Sequence, residues 1–176
     1  MKYEQPLEDW GRKLHNTFNF ISLLNDFPDN IVKGIGDEIM LYVPDDELSK
    51  KQSFNSYYQL LEEIYSTLFN LKYFPVNDLF LNCRVAIHYC REAYNITFFQ
   101  NFNDYYGIDI DLTARLMTRC NGERIVLSSA FYEKVVEDLN TLGLPLGTGC
   151  LAGLSDVIFA GFKGIPGQIS YREIEL

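Results

Sequence analysis

The sequence predicts an α/β fold of the α+β kind, a sheet with helices packed over it, and three observations carry that expectation. Leu7 to Leu24 and Phe54 to Leu71 repeat apolar residues every three or four positions, the spacing of one helical face. Asn30 to Val43 and Asp156 to Ile174 hold short apolar or alternating runs around glycine-containing turns, as hairpins do. Helices and hairpins alternate along the chain, and a hairpin's apolar face needs a helical layer to cover it.

Met1 to Asp29 reads as the first helix, with Leu7, Trp10, Leu14, Phe18, Ile21 and Leu24 forming its apolar stripe. Phe27-Pro28-Asp29 ends it, because the residue before a proline avoids the helical region. His15 falls off the stripe and is expected on the surface. Two runs rich in Ile and Val, Asn30–Ile35 and Ile39–Val43, then flank Gly36-Asp37. That composition favours strands, and the Gly-Asp pair suits a two-residue hairpin turn. Asp37 is thus expected at a hairpin tip, with Lys33 on one arm.

Pro44 to Lys51 reads as a polar loop. Phe54, Tyr58, Leu61, Tyr65 and Leu68 mark a second long helix, their rings serving as core packing. Asn82 to Tyr89 alternates as a strand, with Cys83, Val85, Ile87 and Tyr89 on one face and Arg84, Ala86 and His88 on the other. His88 is accordingly expected to be a hydrogen-bonded sheet residue, not a catalytic base. Tyr94 to Phe99 is its expected hairpin partner. Gly107 to Arg119 forms the third helix, and Gly122 to Leu127 a short strand. Ser128 or Ser129 caps the helix that continues through Leu139. Thr141 to Gly153, with four glycines and a proline, reads as a flexible connection. Asp156–Gly161 and Gln168–Ile174 close the chain as two strands around the Lys163–Gly167 turn.

At 176 residues the chain is expected to form one domain, residues 1–176, with a sizeable core. A net charge of −9 argues against a nucleic-acid or anionic-membrane surface. A polyanionic substrate then needs local lysine, arginine or bound metal. Cys83, Cys90, Cys120 and Cys150 lack paired metal-ligand spacing and read as reduced, small apolar residues. No signal peptide opens the chain and no apolar run approaches the ~18 residues of a membrane span. The expectation is a soluble cytoplasmic domain.

Four motifs carry a resemblance. Lys33-Gly-Ile-Gly-Asp37-Glu-Ile-Met40 resembles the K-T-I-G-D-x-x-M hairpin of class III nucleotidyl cyclases, and Arg84-Val-Ala-Ile-His88-Tyr resembles their V-x-I-H-x-G strand. The stretch from Asp104 through Gly107 and Asp111 to Arg115 is similar to D-x-x-G-x-x-V-N-x-A-x-R, and Phe162-Lys163-Gly164-Ile165 to the family's closing K-G turn. The motifs stand in the family's order and span residues 30 to 176. The resemblance implies a ferredoxin-like, palm-type cyclase homology domain.

It also implies a reaction and the residues that serve it. The ribose 3′-hydroxyl of a nucleoside triphosphate attacks the α-phosphorus and expels pyrophosphate, work that is mostly positioning and charge stabilisation by fixed cations and Mg²⁺ or Mn²⁺. Asp37 matches one of two metal-holding aspartates. Lys33 and Asp104 match the pair that reads adenine, the ammonium donating and the carboxylate accepting. Arg115 matches the arginine at the α-phosphate, where a guanidinium makes charge-assisted contacts. Asp111 stands where the family has its ribose-orienting asparagine, and i, i+4 spacing puts it on the helix side of Arg115. Apart from the motif, that spacing reads as a surface ion pair. Lys163 is the implied phosphate-binding cation, because the family's usual lysine two positions on is Ile165 here. The family's first strand and its other metal aspartate are absent, so the domain reads as N-terminally shortened. The implied assembly is a homodimer, or a heterodimer with a cyclase-like chain, that shares its active site between subunits. A stand-alone cyclase domain also resembles the pyrimidine cyclases of bacterial antiphage systems, which make cyclic UMP or cyclic CMP. The opposing class is a cyclase-like pseudoenzyme that binds nucleotide or completes a partner's site.

Overall fold

Where apolar residues repeat every third or fourth position the chain is helical, and where they alternate it is extended. The computed structural model describes residues 4–23, 30–50, 54–73, 79–99, 102–120 and 123–176. Within them run α1 (Glu4–Leu23), β1 (Ile31–Ile35), β2 (Glu38–Leu41), α2 (Asp45–Leu48), α3 (Tyr57–Tyr73), β3 (Val85–Ile87) and β4 (Tyr94–Phe99). There follow β5 (Phe102–Tyr106), α4 (Ile108–Met117), β6 (Arg124–Ser128), α5 (Ser129–Leu142), a 3₁₀ turn (Gly149–Gly153), β7 (Ile158–Gly161) and β8 (Gln168–Glu175). The architecture is mixed α/β, with three separate sheets among the described residues.

The largest sheet has the order β3-β6-β8-β7, in which β3 runs parallel to β6 and the other pairs are antiparallel. Its spine is β6, whose Ile125, Val126 and Leu127 are fully buried. Strand side chains alternate between faces, so one short run serves two cores. Ile125 and Leu127 pack with Leu61, Leu68, Phe131, Val135 and Leu139 from α3 and α5. Val126 packs with Leu112, Leu116 and Cys120 from α4 and its end. Each apolar side chain buried this way stabilises by ~1.5–3 kcal/mol. Cys83, Val85, Ile87 and Tyr89 all face the first core and Ala86 the second, which is the alternation expected for that strand. Helix α5 begins at Ser128, whose hydroxyl accepts from the Phe131 amide at 3.1 Å. It ends at Gly143 in the left-handed conformation.

Several sequence expectations need correction. Leu7 and Trp10 of the α1 stripe are 69% and 44% exposed, while Leu14, Phe18 and Ile21 are half-buried; among the described side chains of this helix the buried one is Thr17. Its hydroxyl donates to Lys13 O at 2.7 Å and accepts from Leu81 N at 2.9 Å, and Phe20 meets Phe80 at 5.3 Å. A polar joint therefore docks the helix, and apolar periodicity cannot reveal one. Asp45–Leu48 is a helical turn, not loop. Tyr94–Phe99 pairs with Phe102–Tyr106 and not with the His88 strand, because that local hairpin needs no long chain reversal. The segment expected to be a flexible connection ends in a regular 3₁₀ turn, where Cys150 N is held by Glu62 Oε1 at 2.8 Å. The expectations for Leu24 and for Phe27-Pro28-Asp29 lie outside the described residues. Among those residues, no helix is long and apolar enough to cross a membrane.

Candidate functional site

The two small sheets bring two widely separated candidate site residues together. In the β1–β2 hairpin Ile35 pairs with Glu38, leaving Gly36-Asp37 as a two-residue tip with Gly36 at φ 62°. Asp37 stands exposed at that tip, and Lys33 lies three residues before its start. Strand β5 presents Asp104. Lys33 Nζ meets both carboxylate oxygens of Asp104, at 2.6 and 2.5 Å, across 71 residues of sequence. The side chains are 30% and 21% exposed.

Two tyrosines complete this arrangement. Tyr105 N donates to Asp104 Oδ1 at 2.8 Å, and the Tyr106 hydroxyl donates to Oδ2 at 3.0 Å. Lys33, then these two donors, hold the Asp104 carboxyl below the usual carboxylate range, while the hydrogen bond to Asp104 raises the Tyr106 phenol. Beside the pair lies an open depression of about 300 Å³, lined by Asn30, Val32, Tyr42, Pro44, Glu47 and Tyr105. The Tyr42 and Tyr105 rings stack there at 4.8 Å. Sequence reasoning passed over these tyrosines; the only signal was that two of them directly follow Asp104.

Gly107 explains the glycine of the Asp104-x-x-Gly107 motif. A β-carbon there would sit 2.9 Å from the Glu92 carbonyl oxygen, so only glycine lets the 91–93 segment pass. Asp109 fastens the same crossing, its Oδ2 accepting from Arg91 N at 2.7 Å and Glu92 N at 3.3 Å. Burial opposes ionisation of Asp109, yet the Arg91 amide, His88 and the Glu92 amide together keep its carboxyl below the usual range. His88 has a 5% exposed side chain. Its Nδ1 lies 2.9 Å from Ser128 Oγ, and its Nε2 faces Asp109 Oδ1 at 3.3 Å, outside hydrogen-bond geometry. Burial depresses its pKa and Asp109 offsets part of that. His88 is hydrogen-bonded as expected, although it stands one residue past the end of β3 and not within the strand.

Helix α4 lies along β3. Its first turn meets His88, and beyond its last turn the Cys120 thiol donates to Val85 O at 3.0 Å. On its solvent side Arg115 Nε lies 3.4 Å from Asp111 Oδ1, the two side chains 40% and 49% exposed. These two residues pair with each other and not with Lys33 or Asp104. Lys163 is exposed in the β7–β8 turn. Phe162 just before it packs into the α4 core. All four cysteines are free, and burial pushes Cys83 to about 11 and Cys120 to about 12. Neither offers a thiolate at neutral pH.

For a divalent ion the residue to which the resemblance points is Asp37, exposed at the tip beside Glu38, whose carboxylate lies 3.6 Å from Arg84. No group of three His, Cys, Asp or Glu side chains gathers among the described residues. One open carboxylate fits an ion carried mainly by phosphate oxygens, since Mg²⁺ commonly takes one or two carboxylates beside substrate phosphates and water. No family model matches this chain, and no curated protein matches it.

Proposed function

We propose that this chain is a class III-like nucleotidyl cyclase, a cytoplasmic second-messenger synthase that works as a homodimer or with a cyclase-like partner. Its substrate in this reading is ATP, converted to 3′,5′-cyclic AMP and pyrophosphate. One observation carries the reading: Lys33 and Asp104, the two residues expected to read adenine, lie in direct contact although they come from different hairpins.

Each residue then has a defined task. Lys33 donates to a ring nitrogen of the base and Asp104 accepts from the exocyclic amine. Asp111 orients the ribose from α4. The 3′-oxygen forms its bond to the α-phosphorus as the bond to the β-phosphate oxygen breaks, pyrophosphate departs, and the hydroxyl proton passes to solvent water. Arg115, one helical turn beyond Asp111, meets the charge that develops on the α-phosphate oxygens. Lys163 neutralises the departing pyrophosphate. Asp37 holds a Mg²⁺ or Mn²⁺ ion, which supplies further charge neutralisation at the phosphates. The exposed Asp111–Arg115 face suits a site completed by a second subunit. A partner-completing pseudoenzyme is the second reading, favoured by Asp37 being the single open carboxylate at its tip.

The test offers ATP, GTP, CTP and UTP with Mg²⁺ or Mn²⁺ and follows cyclic products. Cyclic AMP formation is expected, and Arg115→Ala should lower kcat by roughly 10²–10³-fold with a smaller change in affinity. Mixing Arg115→Ala with Asp37→Asn chains should restore turnover if the site is shared. Selective use of UTP or CTP would end the adenine assignment. No product from any triphosphate with folded protein would end the enzyme reading.

A further inference from the structure

We infer that Arg119 and Lys163 form a seat for a polyphosphate anion at the far end of α4; its assignment to the terminal phosphates of a nucleotide rests on the cyclase reading. Asp111, Arg115 and Arg119 recur every fourth residue, which is one row along a helix. The row continues past the last residue of α4, because Thr118 keeps helical backbone angles and Arg119 N bonds to Leu116 O at 2.9 Å. Asp111 and Arg119 are exposed and Arg115 half-buried, while Leu112 and Leu116 bury the adjoining side, so the row faces solvent.

Three contacts gather chemistry at this end. The Arg119 guanidinium lies 5.2 Å over the Phe162 ring. Phe162 is anchored in the α4 core and Lys163 follows it directly, so the ring ties an exposed turn to the helix end. The Cys120 thiol holds Val85 O, and the preceding Arg84 meets Glu38 beside Asp37. The Lys33–Asp104 pair lies toward the start of α4, roughly 15 Å from this end by helical rise. A nucleotide laid along this row has its base at Asp104, its ribose at Asp111, its α-phosphate at Arg115 and its outer phosphates at Arg119.

Charge supports the assignment. In a chain of net charge −9, Arg12, Lys33, Lys50, Arg84, Arg124 and Lys134 each have a carboxylate within 4 Å. Among the described residues Arg119 and Lys163 have none, a trait shared with Lys72, Arg91 and Arg172. Lys72 is held by Leu176 O and Arg172 lies over the Tyr132 ring, so Arg119 and Lys163 are the pair that one exposed turn and one helix end bring together. A planar guanidinium grips phosphate oxygens in bidentate fashion, and an ammonium adds a point charge.

The experiment is calorimetric titration of the full chain with sodium tripolyphosphate. Binding is expected, weakened about tenfold by Arg119→Ala or Lys163→Ala, the scale of one charge-assisted contact, and less by Arg119→Lys. Lys134→Ala removes the same charge elsewhere and should leave binding unchanged. Equal weakening by Lys134→Ala, wild-type affinity in folded Arg119→Ala, or no binding by wild type each overturns the seat. Tripolyphosphate binding that depends on Arg119, in a protein forming no cyclic nucleotide, upholds the seat and ends the cyclase reading. Cyclic nucleotide formation with Arg119→Ala at wild-type KM does the reverse.

Discussion

Gly107→Ala tests the crossing that sets the start of α4. The added methyl would meet the Glu92 carbonyl oxygen at 2.9 Å and Ala93 Cα at 3.8 Å, both backbone atoms that cannot swing aside. The segment is further pinned by Asp109, which holds the Arg91 and Glu92 amides, so it cannot yield without lengthening those bonds. Gly107 also has φ +156°, an angle L residues rarely adopt. Overpacking and a strained backbone each cost roughly 1–3 kcal/mol, so a loss of about 2–4 kcal/mol is expected. For a chain of this size that corresponds to a drop in Tm of roughly 5–15 °C. The assay is urea and thermal unfolding by circular dichroism, with Gly11→Ala as the companion variant. Gly11 lies inside α1 with nothing within 4 Å of a built β-carbon. The same substitution there should stabilise by up to ~1 kcal/mol. Equal midpoints for wild type and Gly107→Ala would refute the close crossing, whatever the chain's activity proves to be.

Three further substitutions follow from the site. Asp104→Asn should cost ~1 kcal/mol at pH 7, since the pair is only partly buried. Because the folded Asp104 carboxyl lies below its unfolded value, wild type gains this stability above pH ~4 and loses it as pH falls further, while the variant lacks that part of the acid limb; parallel acid limbs would count against the pair. Asp37→Asn should abolish cyclase turnover while leaving Tm unchanged, because an exposed tip carboxylate contributes little packing; near-normal turnover removes Asp37 from the mechanism. His88 is buried with a depressed pKa, so stability present above pH ~6.5 is lost as pH falls below it, and His88→Gln should flatten urea midpoints between pH 7 and 5. A variant as pH-sensitive as wild type would place that titration elsewhere.

What the sequence made legible was whatever a local pattern records. The Gly36-Asp37 turn, the Phe54–Leu71 helix, the Ser128 cap and the closing hairpin all depend on neighbours within a few residues, and all are present. Partnership between distant segments was not legible. Tyr94–Phe99 has strand composition, but composition does not say which edge it joins. The Thr17 joint, the Asp109 crossing and the tyrosines around Asp104 are polar contacts, and hydrophobic periodicity carries no trace of them. The Lys33–Asp104 contact has no trace in either local pattern; the resemblance assigned both residues to one base without pairing them with each other. Asp111 and Arg115 show the limit of spacing alone: their surface ion pair is what any i, i+4 pair of opposite charges would give.

In the free protein, Lys33 and Asp104 already answer one another. On the cyclase reading, a base that entered between them would have to supply both an acceptor and a donor before the exchange broke even, since a molecule with only one would leave the other charge stranded in a half-covered place. Such a site would reject poor matches by holding itself shut, and the right ligand would gain only the difference between its contacts and those it displaces. Tightness would thereby be exchanged for discrimination, in the manner of a lock whose resting position is closed.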